Sequence, residues 1–264
     1  MSAETRLPIS VCMIAGAEAN RIRRSLESVA AWTSELIVVI NDNVSDGTDA
    51  IAKACGATVF REPWKGHIAQ KNSAAAKAMQ PWLLGLDADE VISPELRTEI
   101  TELFSDSMRI ASCAAFSFPR LTTFCGKWIR HGDWYPDRGT RLWRKGAAEW
   151  GGVNPHDKLI VRGETGKLQS NLLHYNAAKI NDQIAKISSY SDDFVRDALN
   201  RRATASWADM AIRPCWRFFR GYVIRLGFLD GWQGLYIAWM TAFFSATRYA
   251  KLRQVHESLN ESDT

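Results

Sequence analysis

The stretch that decides the fold is Trp82-Leu83-Leu84-Gly85-Leu86-Asp87-Ala88-Asp89-Glu90, an apolar run of strand length that ends in alternating carboxylates. A strand with this pattern is buried along its length, so Asp87 and Asp89 are expected at its exposed end. Carboxylate oxygens are the ligands that hard divalent cations prefer. The pattern therefore predicts a metal site at a strand end, and its simpler alternative is a solvated turn after a buried strand.

Strands and helices alternate on the N-terminal side of this stretch. Apolar runs predict strands at 9–15, 36–40 and 59–60, separated by helices that begin near Ile22, follow Thr48 and span 67–79. This alternation predicts a mostly parallel sheet, in which ligands bind in the crevice outside the carboxyl ends of the strands. The loops at 15–19, 41–48 and 87–90 are expected to line that crevice, where a nucleoside diphosphate is the usual occupant.

The pattern changes on the C-terminal side. A helix at 94–104 and a strand at 113–118 are followed by short segments rich in Trp, Gly and Arg between 121 and 175. These segments predict an antiparallel extension of the sheet, with Gly-Glu-Thr-Gly at 163–166 as a hairpin turn. The predicted fold class is thus α/β, with a catalytic domain at 1–176 and a helical segment at 177–264.

The C-terminal segment combines arginine with large aromatic residues. One helical face carries Arg213, Arg217 and Arg220, and another carries Trp216, Phe219, Val223 and Leu226. The apolar run at 235–247 is too short to cross a bilayer, which needs about 20 residues. We expect an interfacial helix pair that contacts an anionic membrane surface, and the alternative is a helical hairpin packed on the domain.

Composition limits the functional classes. The chain has 264 residues, of which 46% are hydrophobic and 23% charged, which is enough for one large domain with or without an appendage. Five cysteines without a C-x-x-C pair indicate reduced thiols in a cytosolic environment and argue against structural zinc. A net charge of +4 is too small to indicate nucleic acid, so no nucleic-acid partner is expected.

Several motifs together carry a resemblance to a known family. They are Ile9-Ser10-Val11-Cys12-Met13-Ile14, the strand Leu36–Ile40 with Ser45-Asp46-Gly47-Thr48, Gln70-Lys71-Asn72, and Leu86-Asp87-Ala88-Asp89-Glu90. In this order and spacing they resemble the family 2 glycosyltransferases with the GT-A fold. Three further motifs resemble the lipopolysaccharide-core β-glucosyltransferases: Trp134-Tyr135-Pro136-Asp137, Arg141-Leu142-Trp143-Arg144 and Val153-Asn154-Pro155-His156-Asp157.

The resemblance implies a donor site for a nucleotide sugar, a UDP-hexose such as UDP-glucose. Glu18 of the first loop carries over, and Asn41 followed by Asp42 stands where relatives usually have an acidic residue that contacts the base or ribose. Mg2+ or Mn2+ held by Asp89, with Asp87 either as a second ligand or directly behind the ligands, would neutralise the diphosphate as the glycosidic bond breaks.

Other candidates supply charge, a base and a sugar-binding face. Lys71, Arg138 and Arg141 would add positive charge at the phosphates, although each also suits a solvated surface. Asp157 is the candidate base that takes the acceptor's proton, against an ordinary Asp in a turn. The remaining candidates are His156 beside that base, His174 near the metal, and Trp134 with Tyr135 as an aromatic face.

The leading hypothesis is an inverting, metal-dependent transfer of a hexose, expected to be glucose from UDP-glucose, onto a lipid-anchored lipopolysaccharide-core acceptor. We expect the enzyme in the cytoplasm, peripheral on the inner face of the bacterial inner membrane. Transfer to polyprenyl phosphate is a second hypothesis. The third is a non-catalytic membrane-bound scaffold with a decayed nucleotide site, suggested by Asn41 and the altered first loop.

Overall fold

The computed structural model describes residues 6–153, 156–176 and 180–262, and the chain folds into two compact units. The first unit contains the described residues up to Arg120 together with Asp137–Tyr175. The second contains Leu121–Pro136 and the described residues from Asn176 onward. Residue 177, where the predicted second domain begins, lies outside the described residues, so the domain boundaries stay a prediction.

The N-terminal half of the first unit is a parallel α/β sheet. Its strands are β1 (Leu7–Ala15), β2 (Thr33–Asn41), β3 (Thr58–Glu62) and β4 (Trp82–Gly85), in the spatial order β3-β2-β1-β4. The helices α1 (Ile22–Ala30), α2 (Thr48–Ala54) and α3 (His67–Ala76) alternate with them. Because helices cover such sheets, the central residues of both strands, 9–13 of β1 and 36–40 of β2, are continuously buried and nearly all apolar. The predicted mostly parallel α/β sheet is confirmed.

The remaining strands of this unit complete the sheet and add a separate hairpin. They are β5 (Glu90–Ile92), β6 (Ala115–Phe124), β8 (Asp137–Arg144), β9 (Ala148–Val153), β10 (His156–Val161), β11 (Thr165–Lys167) and β12 (Leu172–His174). The end of β6 from Leu121 onward and all of β7 (Lys127–Ile129) belong to the second unit. Helices α4 (Pro94–Ser105) and α5 (Ser107–Ser112) follow β5. Strand β8 pairs antiparallel with both β4 and β6, so the predicted antiparallel extension is confirmed.

The hairpin of this unit lies at other residues than the sequence predicts. Gly-Glu-Thr-Gly at 163–166 is expected to turn between two paired strands, but Thr165–Lys167 pairs in parallel with residues 115–117 of β6. The antiparallel pair is formed by β9 and β10 instead. The glycines at 163–166 indicate that the chain reverses direction there, but not which strand pairs next. The partner of Thr165–Lys167 is the edge of β6, which is distant in sequence.

The last residue of β4, Gly85, is tightly packed, and the carboxylates Asp87 and Asp89 follow it in a turn. A Cβ at Gly85 would lie 2.9 Å from the Trp150 ring and 3.3 Å from the Trp143 ring, so any larger residue at the last strand position would require these rings to shift. The chain then turns, and the Glu90 N–H donates a 3.0 Å hydrogen bond to the carbonyl oxygen of Asp87. Asp87 and Asp89 consequently follow β4 in a short turn before β5.

The second unit is mainly helical. It contains a 3₁₀ turn at Gly132–Trp134, α6 (Ile180–Asn200), α7 (Trp207–Phe219), a π turn at Arg220–Ile224, a 3₁₀ turn at Gly227–Asp230 and α8 (Gly231–Ser262). Asp230 is 3% exposed and accepts hydrogen bonds from the backbone N–H groups of Arg130 and His131. Among the described helices, none combines the length and hydropathy required to cross a membrane.

Candidate active site

Asp87 lies between two basic side chains. Its Oδ1 is 3.2 Å from Lys71 Nζ, and its Oδ2 is 3.2 Å from Arg141 Nη2. Burial opposes ionisation of this carboxyl, but the positive charges of Arg141 and Lys71 outweigh it and hold the pKa of Asp87 below its usual value. Asp87 is therefore a carboxylate whose oxygens are already engaged by cations of the protein.

Glu90 is a buried acidic residue that the sequence analysis did not single out as a site residue. Its side chain is fully buried, and its Oε1 accepts from Arg141 at 3.1 Å and from Arg120 at 3.4 Å. Its Oε2 accepts the N–H of Asp87 at 3.1 Å. The buried Glu90 thus orients Arg141 and the turn that carries Asp87. The signal for it in the sequence is its position directly after the Asp-x-Asp triplet.

Asp89 faces an imidazole and an arginine. Its Oδ2 lies 3.4 Å from His174 Nε2 and 3.6 Å from Arg21 Nη1, and Arg21 also pairs with Glu18. Burial opposes ionisation of Asp89, but the hydrogen bond and charge of His174 lower its pKa overall. The strand end therefore presents a carboxylate and an imidazole side by side, and oxygen and nitrogen ligands of this kind suit a divalent cation.

Asp157 is held at the other side of Lys71. It lies on β10 opposite Gly152 of β9, and its Oδ2 is 2.9 Å from Lys71 Nζ. The Lys71 ammonium also lies 4.5 Å from the centre of the Trp150 ring. The Asn72 amide donates to the Trp150 carbonyl and accepts from its N–H, both at 2.9 Å, which fastens β9 to α3. Lys71 thereby links the predicted metal turn to the predicted base.

Two cavities meet at these residues. One, of about 480 Å3, contains residues of all three predicted loops, among them Glu18, Asn41 and Asp89. The other, also of about 480 Å3, lies beside the positively charged Arg120, Arg138, Arg141 and Lys158. Lys71, Asp87 and Asp157 line both cavities. We call the first the donor cavity, after the nucleotide-site residues predicted there, and the second the acceptor cavity, after the role proposed for it.

Asn41 and Asp42 differ in their environments. Asn41 lines the donor cavity, and its Oδ1 is buried without a hydrogen-bond partner among the described residues. The neighbouring Asp42 is exposed, and its backbone N–H donates to the carbonyl of Glu62. An unpaired buried carbonyl oxygen is costly unless a ligand donor satisfies it. The amide oxygen of Asn41 is therefore the better placed of the two for a nucleotide base.

The Ser-Asp-Gly-Thr motif ties the first loop to α2. Asp46 accepts the N–H of Ala19 at 3.1 Å and that of Thr48 at 3.0 Å, while the Thr48 hydroxyl accepts the N–H of Glu18 at 2.9 Å. The hydrogen bonds from Thr48 and Ala19 lower the pKa of Asp46. This motif consequently holds the loop that carries Glu18 at the donor cavity.

The remaining predicted residues have other surroundings. Arg138 lines the acceptor cavity but donates to the carbonyls of Ser117 and Leu168 at 3.2 and 2.7 Å. Trp134 belongs to the second unit and packs edge-on against Phe124, with 5.4 Å between ring centroids. Its role as a sugar-binding face stays a prediction.

Part of the predicted base motif falls outside the described structure. Asn154 and Pro155 lie outside the described residues, and the side chain of His156 does as well. The predicted part of His156 at the diphosphate or beside Asp157 therefore stays a prediction.

Comparison with known proteins decides the family. The model of the family described as Glycosyl transferase family 2 matches residues 10–162, more than half of the chain. The chain belongs to glycosyltransferase family 2. This glycosyltransferase is 31% identical over 262 residues to an uncharacterized glycosyltransferase of Rickettsia prowazekii (strain Madrid E), with 94% of this chain and 87% of the relative covered.

Two further similarities extend over most of the family 2 chain. It is 25% identical over 270 residues to the lipopolysaccharide core biosynthesis glycosyltransferase LpsC of Rhizobium meliloti (strain 1021), covering 95% of this chain and 94% of LpsC. Superposition on S. aureus TarS 1-349 in complex with UDP gives a TM-score of 0.49 at 12% identity, covering 96% and 92% of the two chains. The predicted family and enzyme class are confirmed.

Proposed function

We propose that this glycosyltransferase moves a hexose from a UDP-hexose, with inversion at the anomeric carbon, onto a lipid-linked saccharide acceptor of the lipopolysaccharide-core type. The observation that carries the proposal is the arrangement of Asp89 and His174 in the donor cavity, with Asp157 at the junction to the acceptor cavity. A leaving diphosphate needs positive charge on one side, and an attacking hydroxyl needs a base on the other.

The carboxylate of Asp89 fits Mg2+ or Mn2+, while the imidazole of His174 fits Mn2+ better than Mg2+, which prefers oxygen ligands. Among the described residues there is no group of three or more His, Cys, Asp or Glu side chains arranged to hold a metal ion. An ion at Asp89 and His174 would therefore take its other ligands from the diphosphate and water, as Mg2+ commonly does. When bound, it would supply Lewis acidity that neutralises charge on the diphosphate. Because Lys71 and Arg141 already engage both oxygens of Asp87, we assign that carboxylate to orienting these two cations.

The side chains of this protein can perform the rest of the transfer. The unpaired Oδ1 of Asn41 accepts the N3–H of a uracil ring, which selects uridine over cytidine because cytosine has no hydrogen at N3. Arg141 lines the acceptor cavity, is held by Glu90 and lies 3.2 Å from Asp87, so its positive charge would reach a diphosphate only across Asp87, which lines both cavities. Asp157 accepts the proton of the acceptor hydroxyl as that oxygen attacks the anomeric carbon.

Lys71 connects the two half-sites. Its ammonium is within 3.2 Å of Asp87 and 2.9 Å of Asp157. A diphosphate in the donor cavity competes for the same ammonium, and drawing Lys71 towards phosphate would release Asp157 to act as a base. Donor binding would in this way precede activation of the acceptor.

The acceptor class rests on the similarity to LpsC and on exposed apolar side chains of the second unit. They include Trp207, Ile212, Trp216, Trp232, Trp239 and Phe243, each more than half exposed. Exposed aromatic side chains next to arginines fit the interfacial region of a bilayer with anionic headgroups. We therefore place the enzyme at the cytoplasmic face of the inner membrane, as a peripheral protein, where a lipid-linked acceptor would be within reach.

Release of UDP from UDP-glucose tests the reaction. Release should require both Mn2+ or Mg2+ and a lipopolysaccharide-core acceptor, and nuclear magnetic resonance of the product should show the inverted anomer. Release that depends on polyprenyl phosphate would favour the second hypothesis instead, and a product with retained configuration would contradict the role of Asp157.

Binding of UDP tests the metal site independently of turnover. Asp89→Asn and His174→Gln should each weaken UDP binding in the presence of Mn2+, measured by calorimetry, while leaving the weaker binding in EDTA unchanged. Asp197→Asn is the matched control, since Asp197 is a 64% exposed carboxylate on α6. Mn2+-dependent binding that survives both substitutions would remove these residues as the metal site.

A further inference from the structure

One carboxylate in the second unit is surrounded by arginines. Asp133, in the 3₁₀ turn before Trp134, has only 10% of its side chain exposed. Its oxygens lie 2.6 Å from Arg220, 3.3 Å from Arg225 and 3.8 Å from Arg217. This arginine cluster, defined as Arg217, Arg220 and Arg225 around Asp133, leaves a local excess of two positive charges.

Hydrogen-bonding capacity remains in the arginine cluster. A guanidinium has five N–H donors, so three arginines carry far more donors than the two oxygens of one carboxylate can accept. The Nε of Arg220 and the Oδ2 of Asp133 are buried without a hydrogen-bond partner among the described residues. The side chains of Arg217, Arg220 and Arg225 are 35%, 31% and 44% exposed, so part of each remains open to a ligand. A single carboxylate neither balances the charge nor uses the donors, and a planar guanidinium fork is well matched to phosphate oxygens.

Exposed apolar side chains lie in the same segments. Trp216 and Phe219 belong to α7 together with Arg217, and Val223 and Ile224 lie in the turn between Arg220 and Arg225. The exposed fractions of these four side chains are 52%, 48%, 43% and 53%. Because these apolar residues are chain neighbours of the arginines, their helical face adjoins the arginine face. A ligand that satisfies both features has a phosphate group next to acyl chains.

We propose that the arginine cluster binds the phosphate of an anionic lipid headgroup while the neighbouring apolar side chains enter the interface. The inference rests on the membrane contact given under the proposed function and adds a defined phosphate site to it. Asp133 holds the arginines together in the absence of lipid, and the bound phosphate supplies the missing negative charge. Membrane binding should therefore depend on headgroup charge, not on apolar contact alone.

Sedimentation of the full chain with vesicles tests the proposal. Binding should be clearly stronger to phosphatidylcholine vesicles that contain phosphatidylglycerol than to phosphatidylcholine alone. A basic residue near an anionic surface contributes about 1 kcal/mol, so Arg225→Gln should weaken binding about fivefold and the Arg217→Gln/Arg225→Gln pair about 25-fold. The control Arg201→Gln removes a 75% exposed arginine that pairs with Asp197 on α6, and it should change binding less than twofold.

Asp133→Asn gives a second test with the opposite sign. Removing the central carboxylate raises the local excess of positive charge, so binding to phosphatidylglycerol vesicles should strengthen several-fold. If the arginines serve only to hold Asp133, the same substitution should weaken binding or leave it unchanged. This variant is expected to be less stable than the wild type. Adding inorganic phosphate should therefore raise its melting temperature more than it raises that of the wild type.

The possible outcomes separate the proposals from one another. Inorganic phosphate that stabilises the protein through these arginines, without any vesicle binding, would assign the site to a soluble phosphate and overturn the lipid assignment. Vesicle binding that is unchanged by headgroup charge and by the arginine substitutions would refute the phosphate-binding role of the arginine cluster. It would leave the proposed membrane contact standing. No binding to any vesicle would overturn both, whereas UDP release with a soluble acceptor would leave the transferase reaction intact.

Discussion

Replacing Lys71 with Gln removes the cation that two carboxylates share. Lys71 Nζ lies 2.9 Å from Asp157 and 3.2 Å from Asp87, and its side chain is only 11% exposed. At an effective dielectric constant of about 20, each pair attracts by about 5 kcal/mol before desolvation is subtracted. Removing one partner of a buried pair costs about 3–5 kcal/mol. Asp87 and Asp157 are 32% and 14% exposed and Arg141 still holds Asp87, so we expect about 2–3 kcal/mol.

This loss should appear as a lower melting temperature that depends on pH. At about 2–4 °C per kcal/mol for a domain of this size, the melting temperature at pH 7 should fall by about 4–12 °C. The pKa of Asp87 is lowered in the folded protein, in part by Lys71, so its stabilisation is present above the ordinary carboxyl pKa and is lost as pH falls. The difference between wild type and variant should therefore shrink below about pH 4.

The measurement is thermal unfolding followed by circular dichroism, once at pH 7 and once below about pH 4. The matched control is Lys53→Gln, because Lys53 is 63% exposed and lies 4.0 Å from Asp49, a surface pair that contributes little. A fall of less than about 2 °C at pH 7, below the range expected for a domain of this size, or a difference of the same size at both pH values, would refute the electrostatic role of Lys71.

Three other substitutions probe the donor site, the base and the packing. Asp157→Asn should reduce transfer about 10²–10⁴-fold, the range for loss of a general base, while UDP binding by calorimetry stays intact. The control is Glu149→Gln, at a 59% exposed residue of the same hairpin. Activity of Asp157→Asn within tenfold of the wild type would remove Asp157 as the base. Asn41→Leu should weaken UDP binding about tenfold and reduce the preference for UDP over CDP, and an unchanged preference would show that Asn41 does not contact the base. Gly85→Ala places a Cβ 2.9 Å from the Trp150 ring and should lower stability by about 1–3 kcal/mol in urea unfolding, whereas an unchanged midpoint would mean that the tryptophan moves aside freely.

Local patterns in the sequence were sufficient for the α/β fold class. The apolar runs of β1, β2 and β4 are buried on both faces, so their hydrophobic signal is strong and continuous. The same pattern indicated that Asp87 and Asp89 follow a strand end and lie near the loops at 15–19 and 41–48, because parallel strands end at one edge of a sheet.

Turn composition was a weaker guide. The hairpin predicted at 163–166 was wrong because glycines indicate a reversal in the chain without naming the strand that pairs next. The available edge of β6, which belongs to residues distant in the chain, determined that pairing.

The sequence by itself determined the alternation of strands and helices, the carboxylates at the end of β4 and the family, since each depends on residues that are neighbours in the chain. The tertiary structure alone decided which charges meet. Lys71 and Asp157 are 86 residues apart, and Asp133 and Arg220 are 87 apart, yet each pair is in contact. Likewise, in the sequence Glu90 is only the last residue of a motif, and its contacts with Arg120 and Arg141 become evident only in the folded structure. Charge pairing acts over a few ångströms in space, and no periodicity or local propensity encodes which distant residues are brought within that range.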